Sequence, residues 1–257
     1  MRKKVKVVIP IYKAELSELE TISLNRVYSV LSDYTIVVIK PQSLNLDKLK
    51  ADYPNLEYES FNDAFFDGFN GYNKLMLSSD LYKRFSDIEY ILIYQLDAYI
   101  FEDRLDYFIE KGYDYIGAPW PVKRLYRTLL FSFFLNRKKR KYNKKNIPCR
   151  QNLYNKIGNG GLSLRKIDTF CAATEKHKAK IDFYISNIDT PLYNEDVFWA
   201  IEIPEFSYPS YKEALEFAFD KYPALCFRDN GNKLPMGCHG WYKWKWRNFW
   251  KQYISFS

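Results

Sequence analysis

The sequence has no apolar run long enough to form a membrane-spanning helix. A span needs roughly 18 or more consecutive apolar residues, whereas the N-terminal run 5–11 is short and is broken by Lys6 and Pro10. That run also differs from the longer apolar centre of a signal peptide. We therefore expect the protein to be made and kept in the cytoplasm.

Cysteine motifs and glycine-rich nucleotide loops are absent as well. The four cysteines have no C-x-x-C spacing, which argues against a zinc ribbon and a dense disulfide framework and predicts reduced thiols. Neither G-x-G-x-x-G nor G-x-x-x-x-G-K-[ST] follows a predicted strand. A dinucleotide-binding Rossmann site and a P-loop are therefore not expected.

Acidic residues are missing from residues 123–150, which hold eleven Lys or Arg and no Asp or Glu. The net charge of the whole chain is +8, so the rest of the chain is slightly acidic and the basicity is local. A duplex-binding domain more often spreads its positive charge along a recognition element or face. Nucleic acid is therefore not the expected partner.

What the sequence does contain is enough apolar residues for one core. Hydrophobic residues fill 47% of the 257 positions, and a mixed α/β chain of this length need not be divided. We predict a single domain over residues 1–257. Within it, residues 123–150 form a basic and apolar insertion, and residues 241–257 form an aromatic and basic C-terminal segment.

Strand and helix patterns alternate along the first hundred residues, which favours a mostly parallel sheet with right-handed crossovers. Apolar periodicity predicts strands at 5–11, 35–39, 56–61, 90–94, 113–116 and 224–227. It predicts helices at 15–31, 44–53, 72–85, 102–111, 166–178 and 211–219, and a further helix that begins near 194. A rigid turn is expected at 117–121.

Asp97 is an anomaly beside the most apolar of these strands. Residues 90–94 show no alternation, which indicates a strand covered on both faces. Ligands of open α/β sheets bind beyond the carboxyl ends of such strands, so an acid at this place points to a ligand. The alternative is a turn or helix-capping role, which Asp also takes at strand ends.

Three later features of the sequence can likewise be explained by a ligand site or by local backbone structure. The two glycines after Asn159 predict a turn with positive φ or close backbone approach, in a hairpin or in a ligand loop. Glu195 and Asp196 follow the predicted cap Asn194, so helix capping alone would explain them. His239 lies in a predicted loop between two glycines, from which it can reach inward.

A strand-end Asp, a glycine-rich turn, a Glu-Asp pair and a late His occur here in the order found in GT-A nucleotide-sugar glycosyltransferases, and the sequence resembles that family. It is most similar to a bacterial group of unknown function. The shared motifs are YQLDA at 94–98, IGAPW at 116–120, GNGGLSLR at 158–165, NEDV at 194–197 and GCH at 237–239. The resemblance implies a GT-A-like α/β fold, a mostly parallel mixed sheet flanked by helices.

The resemblance also assigns roles to residues. It implies that Asp97 and His239 hold a divalent metal, Mn²⁺ or Mg²⁺, with the imidazole favouring Mn²⁺. Asp196 becomes the general base and Glu195 orients the acceptor, which implies inversion at the anomeric carbon. Many members have Asp-x-Asp where this chain begins with Gln95, so one carboxylate is missing. The residues implied in substrate binding are Ile9, Pro10, Asn73, Lys74, Gln95, Asn159, Gly160 and Gly161.

The implied function is transfer of a sugar from a nucleotide-diphosphate donor to a hydroxyl group of a glycan or lipid-linked acceptor, in surface polysaccharide or glycolipid synthesis. Two other classes remain open. A non-catalytic module of the same fold would bind anionic lipid or nucleic acid, and a metal-dependent hydrolase or nucleotidyltransferase would use a similar nucleotide site. Convergence of Asp97, Asp196 and His239 in one pocket would favour the enzyme.

The insertion and the C-terminal segment predict attachment to an anionic membrane surface. Apolar pairs recur in the insertion at a helical spacing of four, with bases beside them. The pairs are 125–126, 129–130 and 133–134, and the bases are Arg124, Arg127 and 137–141. Over 241–250 tryptophans alternate with bases, as at a headgroup interface. We expect peripheral association with the inner face of the membrane; a solvated basic loop or a nucleic-acid patch is the alternative.

Overall fold

The computed structural model describes residues 4–123, 126, 128–144 and 149–256. Within these residues the chain forms nine strands and twelve α-helices. The strands are β1 Val5–Pro10, β2 Thr35–Pro41, β3 Glu57–Phe61, β4 Tyr90–Tyr94, β5 Ala98–Ile100, β6 Tyr115–Pro119, β7 Ile157–Lys166, β8 Ala218–Phe219 and β9 Gly237–His239. The helices are α1 Glu18–Val30, α2 Asp47–Asp52, α3 Gly68–Met76, α4 Ser79–Arg84, α5 Leu105–Glu110, α6 Leu129–Asn143, α7 Ile167–Lys176, α8 Lys178–Ser186, α9 Glu195–Ile201, α10 Tyr211–Phe217, α11 Pro223–Asp229 and α12 Trp244–Trp250.

Six strands form the main sheet in the order β3-β2-β1-β4-β7-β6. The neighbours among β1 to β4 are parallel, and β7 runs antiparallel to both β4 and β6. Parallel neighbours need long crossover connections, and α1 to α4 lie in the connections between β1 and β4. The predicted fold class, a mostly parallel mixed sheet flanked by helices, is confirmed.

The central strands are apolar because the sheet is covered on both faces. All five residues of β4 are buried. In β1, Val7 and Ile9 belong to the core on the side of α1, whereas Val8 belongs to the core that contains residues of α4, α7 and α9. Burial on both faces removes the alternation that a half-exposed strand would show.

The helix α1 begins where the sequence supplies a capping box. The Ser17 hydroxyl accepts the Glu20 N–H, and the Glu20 carboxylate accepts the Ser17 N–H at 2.7 Å. Such a cap contributes about 1 kcal/mol to helix stability. One turn further on, the Ser23 hydroxyl donates to the Ala98 carbonyl at 2.7 Å. The helix therefore fixes the start of β5, next to Asp97.

A second sheet of three short strands, in the order β5-β9-β8, follows β4 in the chain after only three residues. Ala98 in β5 pairs with His239 in β9, and β8 runs parallel to β9. His239 therefore lies in a strand, not in the predicted loop. Because β5 begins one residue after Asp97, this pairing brings Asp97 and His239 together.

Three further predicted elements were wrong in type or extent. The helix expected at 211–219 ends at Phe217, and residues 218–219 form β8. The helix expected at 72–85 is two helices, α3 and α4, because Ser78 is extended and its hydroxyl accepts the Leu81 N–H to begin a new helix. The strand expected at 224–227 is the helix α11. Pro223 lies in its first turn, where the missing N–H would have had no helical partner.

Residues 117–119 of the turn expected at 117–121, and the two glycines after Asn159, are parts of strands. β6 continues to Pro119, and β7 runs without a break from Ile157 to Lys166. The register between them shifts on both sides of Ala118. The glycines and prolines in these segments therefore accompany irregularities in a ladder and do not reverse the chain.

The insertion contains α6, and Phe133 and Phe134 are exposed on it. Arg124, Leu125 and Arg127, which were predicted to contribute to membrane attachment, lie outside the described residues. The side chains of residues 129–132 lie outside them too. Among the helices that the structure describes, none has both the length and the apolar character needed to cross a bilayer.

The C-terminal tryptophans are not a uniform surface stripe. Trp241 and Trp250 are fully buried in a third hydrophobic cluster, together with Phe219 and Cys238. Only Trp244, with 81% of its surface exposed, is fully available to solvent among the four tryptophans of this segment. The prediction that the alternating pattern faces a membrane was therefore wrong for Trp241 and Trp250, because these two side chains pack inside the domain.

Candidate active site

Asp97 and His239 meet at the edge of the small sheet. The Asp97 carbonyl accepts the Gly240 N–H at 2.7 Å, and Asp97 Oδ1 lies 2.8 Å from His239 Nε2. Gln95 Oε1 lies 3.1 Å from the same nitrogen. Three side chains from the turn after β4 and from β9 thus converge on one point.

Two further charged groups surround this point. Asp220, directly after β8, is buried with Oδ1 3.2 Å from His239 Nδ1, and Lys243 Nζ lies 3.1 Å from Asp97 Oδ2. Burial by itself would lower the pKa of His239, but the carboxylates of Asp97 and Asp220 raise it to about 9. Burial by itself would raise the pKa of Asp97, but His239 and Lys243 hold it well below its usual range. Without a metal, two carboxylates therefore neutralise two cations.

The donor atoms at this point fit a divalent cation. Neighbouring ligands of an octahedral cation bound at ~2.1 Å lie about 3 Å apart, and His239 Nε2 lies 2.8 Å from Asp97 Oδ1 and 3.1 Å from Gln95 Oε1. A carboxylate combined with an imidazole suits Mn²⁺. Across residues 4–123, 126, 128–144 and 149–256, no group of three or more His, Cys, Asp or Glu could hold a metal. Oxygen atoms of a bound ligand would therefore have to complete the coordination.

Gly160 and Gly161 let side chains approach β7 from its two faces. A Cβ atom on Gly160 would collide with carboxylate oxygens of Glu195 and Asp196, and a Cβ atom on Gly161 would collide with the His239 ring. Successive Cβ atoms of a strand point to opposite faces. The Gly160 N–H also donates to Asp196 Oδ1 at 2.5 Å. The glycines thus provide close approach within a strand.

Glu195 is the buried member of the acidic pair, and Arg165 holds it. Arg165 Nη2 lies 3.2 Å from Glu195 Oε2, and the guanidinium also donates to the Tyr82 hydroxyl at 2.9 Å and to Ser163 Oγ at 3.1 Å. Burial raises the pKa of Glu195 well above its usual range; Arg165 opposes this and Asp196 adds to it. Asp196 is less buried than Glu195, so it is the carboxylate that a ligand can reach more easily.

The two asparagines predicted to bind substrate, Asn73 and Asn159, accept hydrogen bonds from backbone N–H groups at the site. Asn73 Oδ1 accepts the Glu195 N–H at 2.7 Å, so α3 caps α9. The predicted cap Asn194 makes no side-chain hydrogen bond to the helix. Asn159 Oδ1 accepts the Gly161 N–H at 3.1 Å. Both asparagine side chains therefore position catalytic candidates or their neighbours.

A pocket of about 390 Å³ opens between the end of β1, the start of α3 and Asp97. Pro10 and Gln95 line it, whereas Ile9 is fully buried in the core and can offer a ligand only its backbone. Lys74 is exposed and does not line the pocket. Aromatic side chains form much of the wall: Tyr12, Phe66, Phe69, Tyr72 and Tyr242.

Several groups at the site were missed from the sequence. One signal could have identified Arg165: it is a positively charged side chain within a strand that is buried along nearly its whole length. Asp220 and Lys243 carry no comparable signal. Their positions depend on the pairing of the two-residue strand β8 and on the turn at Gly240, where a Cβ atom would collide with the Lys243 side chain.

Comparison with known proteins adds a family and a fold. A family model described as "Protein of unknown function (DUF5672)" matches residues 55–239. No curated protein matches the sequence.

Two solved structures share the fold at low sequence identity. The galactosyltransferase LgtC, in complex with donor and acceptor sugar analogues, is similar with a TM-score of 0.59 and 13% identity over 96% of this chain and 94% of that chain. Apo mouse xyloside xylosyltransferase 1 is similar with a TM-score of 0.54 and 11% identity over 91% of this chain and 96% of that chain. At these identities the likeness shows the fold alone, which is of the GT-A type.

Proposed function

The chain belongs to the DUF5672 family of proteins of unknown function, and from that premise we propose that it is a glycosyltransferase that uses a nucleoside-diphosphate sugar. One observation supports this most. The glycine pair of β7 has the Asp97–His239 cluster on one side and Asp196 on the other. A cation site and a base separated by one strand suit a reaction in which a diphosphate leaves and a hydroxyl attacks. The fold likeness to two glycosyltransferases supports the same class.

The pocket beside Asp97 is proposed to take the nucleotide. Tyr12 and Phe69 line it with 62% and 63% of their surfaces exposed, and large apolar rings with this much exposure are candidates for ligand contacts. A flat base would gain stacking energy against such rings. The diphosphate would then lie towards Asp97, where the cationic groups of the site are.

The charge of the leaving diphosphate has candidate partners at this end of the pocket. Asp97, His239 and Gln95 would hold Mn²⁺ or Mg²⁺, and a bound divalent cation would neutralise the charge that develops on the leaving group. Lys243, half-exposed beside Asp97, would add a second positive charge and donate hydrogen bonds to phosphate oxygens.

Asp196 is proposed as the general base. Gly160 N–H occupies one carboxylate oxygen, which orients the group and leaves the other oxygen to take the proton of the acceptor hydroxyl. The hydroxyl oxygen forms the new bond to the anomeric carbon as the bond to the diphosphate breaks, and the electron pair leaves with the diphosphate. Attack from the side opposite the leaving group implies inversion. Glu195, fixed by Arg165, would orient the acceptor.

A nucleotide-sugar panel tests this function. The protein is incubated with UDP-, GDP-, CMP- and dTDP-sugars, each with and without MnCl₂, and thermal stabilisation and slow donor hydrolysis are recorded. We expect one donor to raise the melting temperature in a Mn²⁺-dependent manner and to be hydrolysed slowly. Absence of stabilisation and of hydrolysis with every donor would contradict the proposal and favour a non-catalytic module.

The acceptor is proposed to be a glycan or a lipid-linked glycan, reached at an anionic membrane surface during polysaccharide or glycolipid synthesis. Residues 115–167 and 230–257 hold nineteen Lys or Arg and no Asp or Glu, whereas the rest of the chain has twenty bases and thirty-one acids. The two basic stretches are linked, because Lys123 Nζ lies over the Tyr222 ring and Tyr222 packs against Trp246 of α12 at 5.1 Å.

The helix α6 has the outer face that such a surface needs. Leu135, Lys139 and Tyr142 are its less exposed residues among 133–144, and they recur at helical spacing on the side towards the domain. The opposite side carries an exposed apolar start and a basic end: Phe133, Phe134, Arg137, Arg140, Lys141 and Lys144. Each base near an anionic surface contributes roughly 1 kcal/mol.

Vesicle co-sedimentation tests this attachment. Binding should require anionic lipid and weaken with salt, and Arg137→Glu, Arg140→Glu and Lys144→Glu together should abolish it. The matched control is the triple change Lys48→Glu, Lys178→Glu and Lys212→Glu, which alters the net charge equally at exposed lysines elsewhere. Equal loss in the control would mean that only overall charge matters, and binding to neutral vesicles would contradict an electrostatic attachment.

A further inference from the structure

No hydrogen bond of ordinary geometry reaches the Tyr72 hydroxyl from the residues that the structure describes, although the Gln95 side chain is a polar neighbour of it. The side chain is partly exposed on the wall of the nucleotide pocket, whereas its hydroxyl oxygen is buried. Buried polar groups in native proteins are almost always paired. The exceptions need an explanation, and a ligand that is bound only during function is one.

Tyr72 differs in position from the other tyrosines whose buried hydroxyl groups have no hydrogen bond of ordinary geometry. The hydroxyl groups of Tyr58, Tyr90 and Tyr115 are also buried without a partner in the described part of the chain, but none of these residues lines the pocket. A missing partner alone therefore carries no conclusion. In Tyr72 it coincides with a place on the wall of the pocket that also contains Gln95 and Asp97.

The neighbours of Tyr72 place it between the two halves of the candidate site. The next residue of α3, Asn73, accepts the Glu195 N–H at 2.7 Å, so this turn of α3 is held against the start of α9. Burial raises the pKa of the Tyr72 hydroxyl and the charge of Glu195 adds to it, whereas the charge of Arg165 and a hydrogen-bonding contact with the Gln95 side chain lower it. Polar groups from both halves of the candidate site thus act on this hydroxyl, Gln95 from the cation side and Glu195 from the base side.

A transferred sugar has to occupy this same interval. Its diphosphate would lie towards Asp97, and its anomeric carbon has to lie within reach of the acceptor that Asp196 deprotonates. The hydroxyl groups of the sugar then face the wall between these two carboxylates. A tyrosine hydroxyl both donates and accepts, so it can pair with a sugar hydroxyl in either direction.

We propose that the Tyr72 hydroxyl binds a hydroxyl group of the transferred sugar and thereby selects the donor. This rests on the proposed glycosyltransferase function and concerns the sugar moiety of the donor, not the nucleotide or the acceptor. A donor that lacks the matching hydroxyl would leave Tyr72 unpaired, which is how a polar site discriminates against deoxy analogues.

The test is Tyr72→Phe, which removes only the hydroxyl, with Tyr90→Phe as a control that removes a buried, unpaired hydroxyl distant from the pocket. Melting temperatures are measured without ligand. Calorimetry then compares the nucleoside diphosphate with its sugar conjugate, both with MnCl₂, using the donor that stabilises the wild type in the panel. Both variants should melt at or above the wild-type temperature, because each loses an unsatisfied group.

Only Tyr72→Phe should change the affinity for one of the two ligands and not for the other. We expect unchanged affinity for the nucleoside diphosphate and a roughly tenfold weaker affinity for the sugar conjugate, the size of one lost hydrogen bond. Equal affinities for the conjugate in wild type and variant would overturn the inference while leaving the proposed function intact. A clear fall in the melting temperature of Tyr72→Phe would also overturn it, since the hydroxyl would then have a structural partner. If the wild type binds no nucleotide, the proposed function fails and this inference fails with it.

Discussion

Asp97 is held ionised and in place by its neighbours. His239 and Lys243 lie on its two oxygen atoms, and a carboxylate that already faces positive charge remains ionised across the physiological range. The Gly240 N–H holds its backbone carbonyl, so the carboxylate is fixed before any ligand arrives. A divalent cation bound here would release the proton of His239 and displace the Lys243 ion pair.

We predict that Asp97→Asn abolishes Mn²⁺-dependent nucleotide binding and leaves the fold intact. An amide oxygen is a poorer ligand for a hard cation than a carboxylate, and the substitution also removes the charge that faces His239 and Lys243. Calorimetry with the nucleoside diphosphate, with and without MnCl₂, measures the effect. Asp87→Asn, at an exposed surface position, should bind as the wild type does. An unchanged Mn²⁺ dependence in Asp97→Asn would remove Asp97 from the cation site.

The acidic pair at the start of α9 divides into a buried and an accessible carboxylate. Glu195 is buried against Arg165, whereas Asp196 is less buried and accepts the Gly160 N–H; the two carboxyl groups also share a hydrogen bond. We predict that Asp196→Ala lowers the transfer rate by about 10² to 10⁴ while donor affinity changes by less than about threefold.

Single-turnover kinetics and donor titration separate these two effects. A matching fall in donor affinity would assign Asp196 to binding. Unreduced transfer would place the base elsewhere and would require the expected inversion to be reconsidered.

At the scale of elements, β7 is the part that joins the two halves of the site. Its glycines allow Asp196 and His239 to contact the same strand from opposite faces. His239 is held by Asp97 and Asp220, and Asp196 accepts the Gly160 N–H, so an added methyl group meets a side chain that already has a partner. A Cβ at either position therefore has to displace a functional side chain.

We predict that the two glycine variants fail in different ways. Gly161→Ala displaces His239 and should weaken Mn²⁺-dependent nucleotide binding at least tenfold. Gly160→Ala displaces Glu195 and Asp196 and should preserve nucleotide binding while it lowers transfer. Overpacking typically costs about 1–3 kcal/mol, so circular dichroism should show both variants folded at 25 °C. Identical defects in the two variants would contradict the division of the site by the strand.

At the scale of the whole molecule, the C-terminal segment is a structural part of the domain. Trp250 is fully buried and stacks on Phe101 at 5.5 Å, whereas Trp244 of the same helix is exposed. We predict that Trp250→Ala lowers the free energy of unfolding by about 3–5 kcal/mol and that Trp244→Ala changes it by less than about 0.5 kcal/mol. Urea denaturation measures both changes. Equal effects would mean that this helix does not pack as described.

The alternating strands and helices of the first hundred residues could be predicted because apolar periodicity reports burial locally. The break at Ser78 was missed because the apolar pattern of residues 72–85 continues across it. The strand nature of β9 was missed for a different reason: three residues carry too little pattern, and the ladder with β5 joins positions far apart in sequence.

The candidate site likewise contains residues that could be identified from the sequence and residues that could not. Asp97, Glu195, Asp196 and His239 were identified from the order of their motifs, and their roles stay predictions. Asp220 could not be found, because its contact with His239 depends on two short strands meeting side by side. Tyr72 lies on a helix face, where an aromatic residue looks like part of the core until the pocket is seen.

One peptide unit separates Gly160 from Gly161. That unit is planar and stiff, so a displacement imposed on one glycine is transmitted to the other over a few ångströms. Occupancy on the phosphate side and occupancy on the acceptor side are then thermodynamically linked. Any factor by which a bound donor changes acceptor affinity must equal the factor by which a bound acceptor changes donor affinity. The strand would thus couple the affinities of the two substrates, and this coupling by itself would favour neither order of addition.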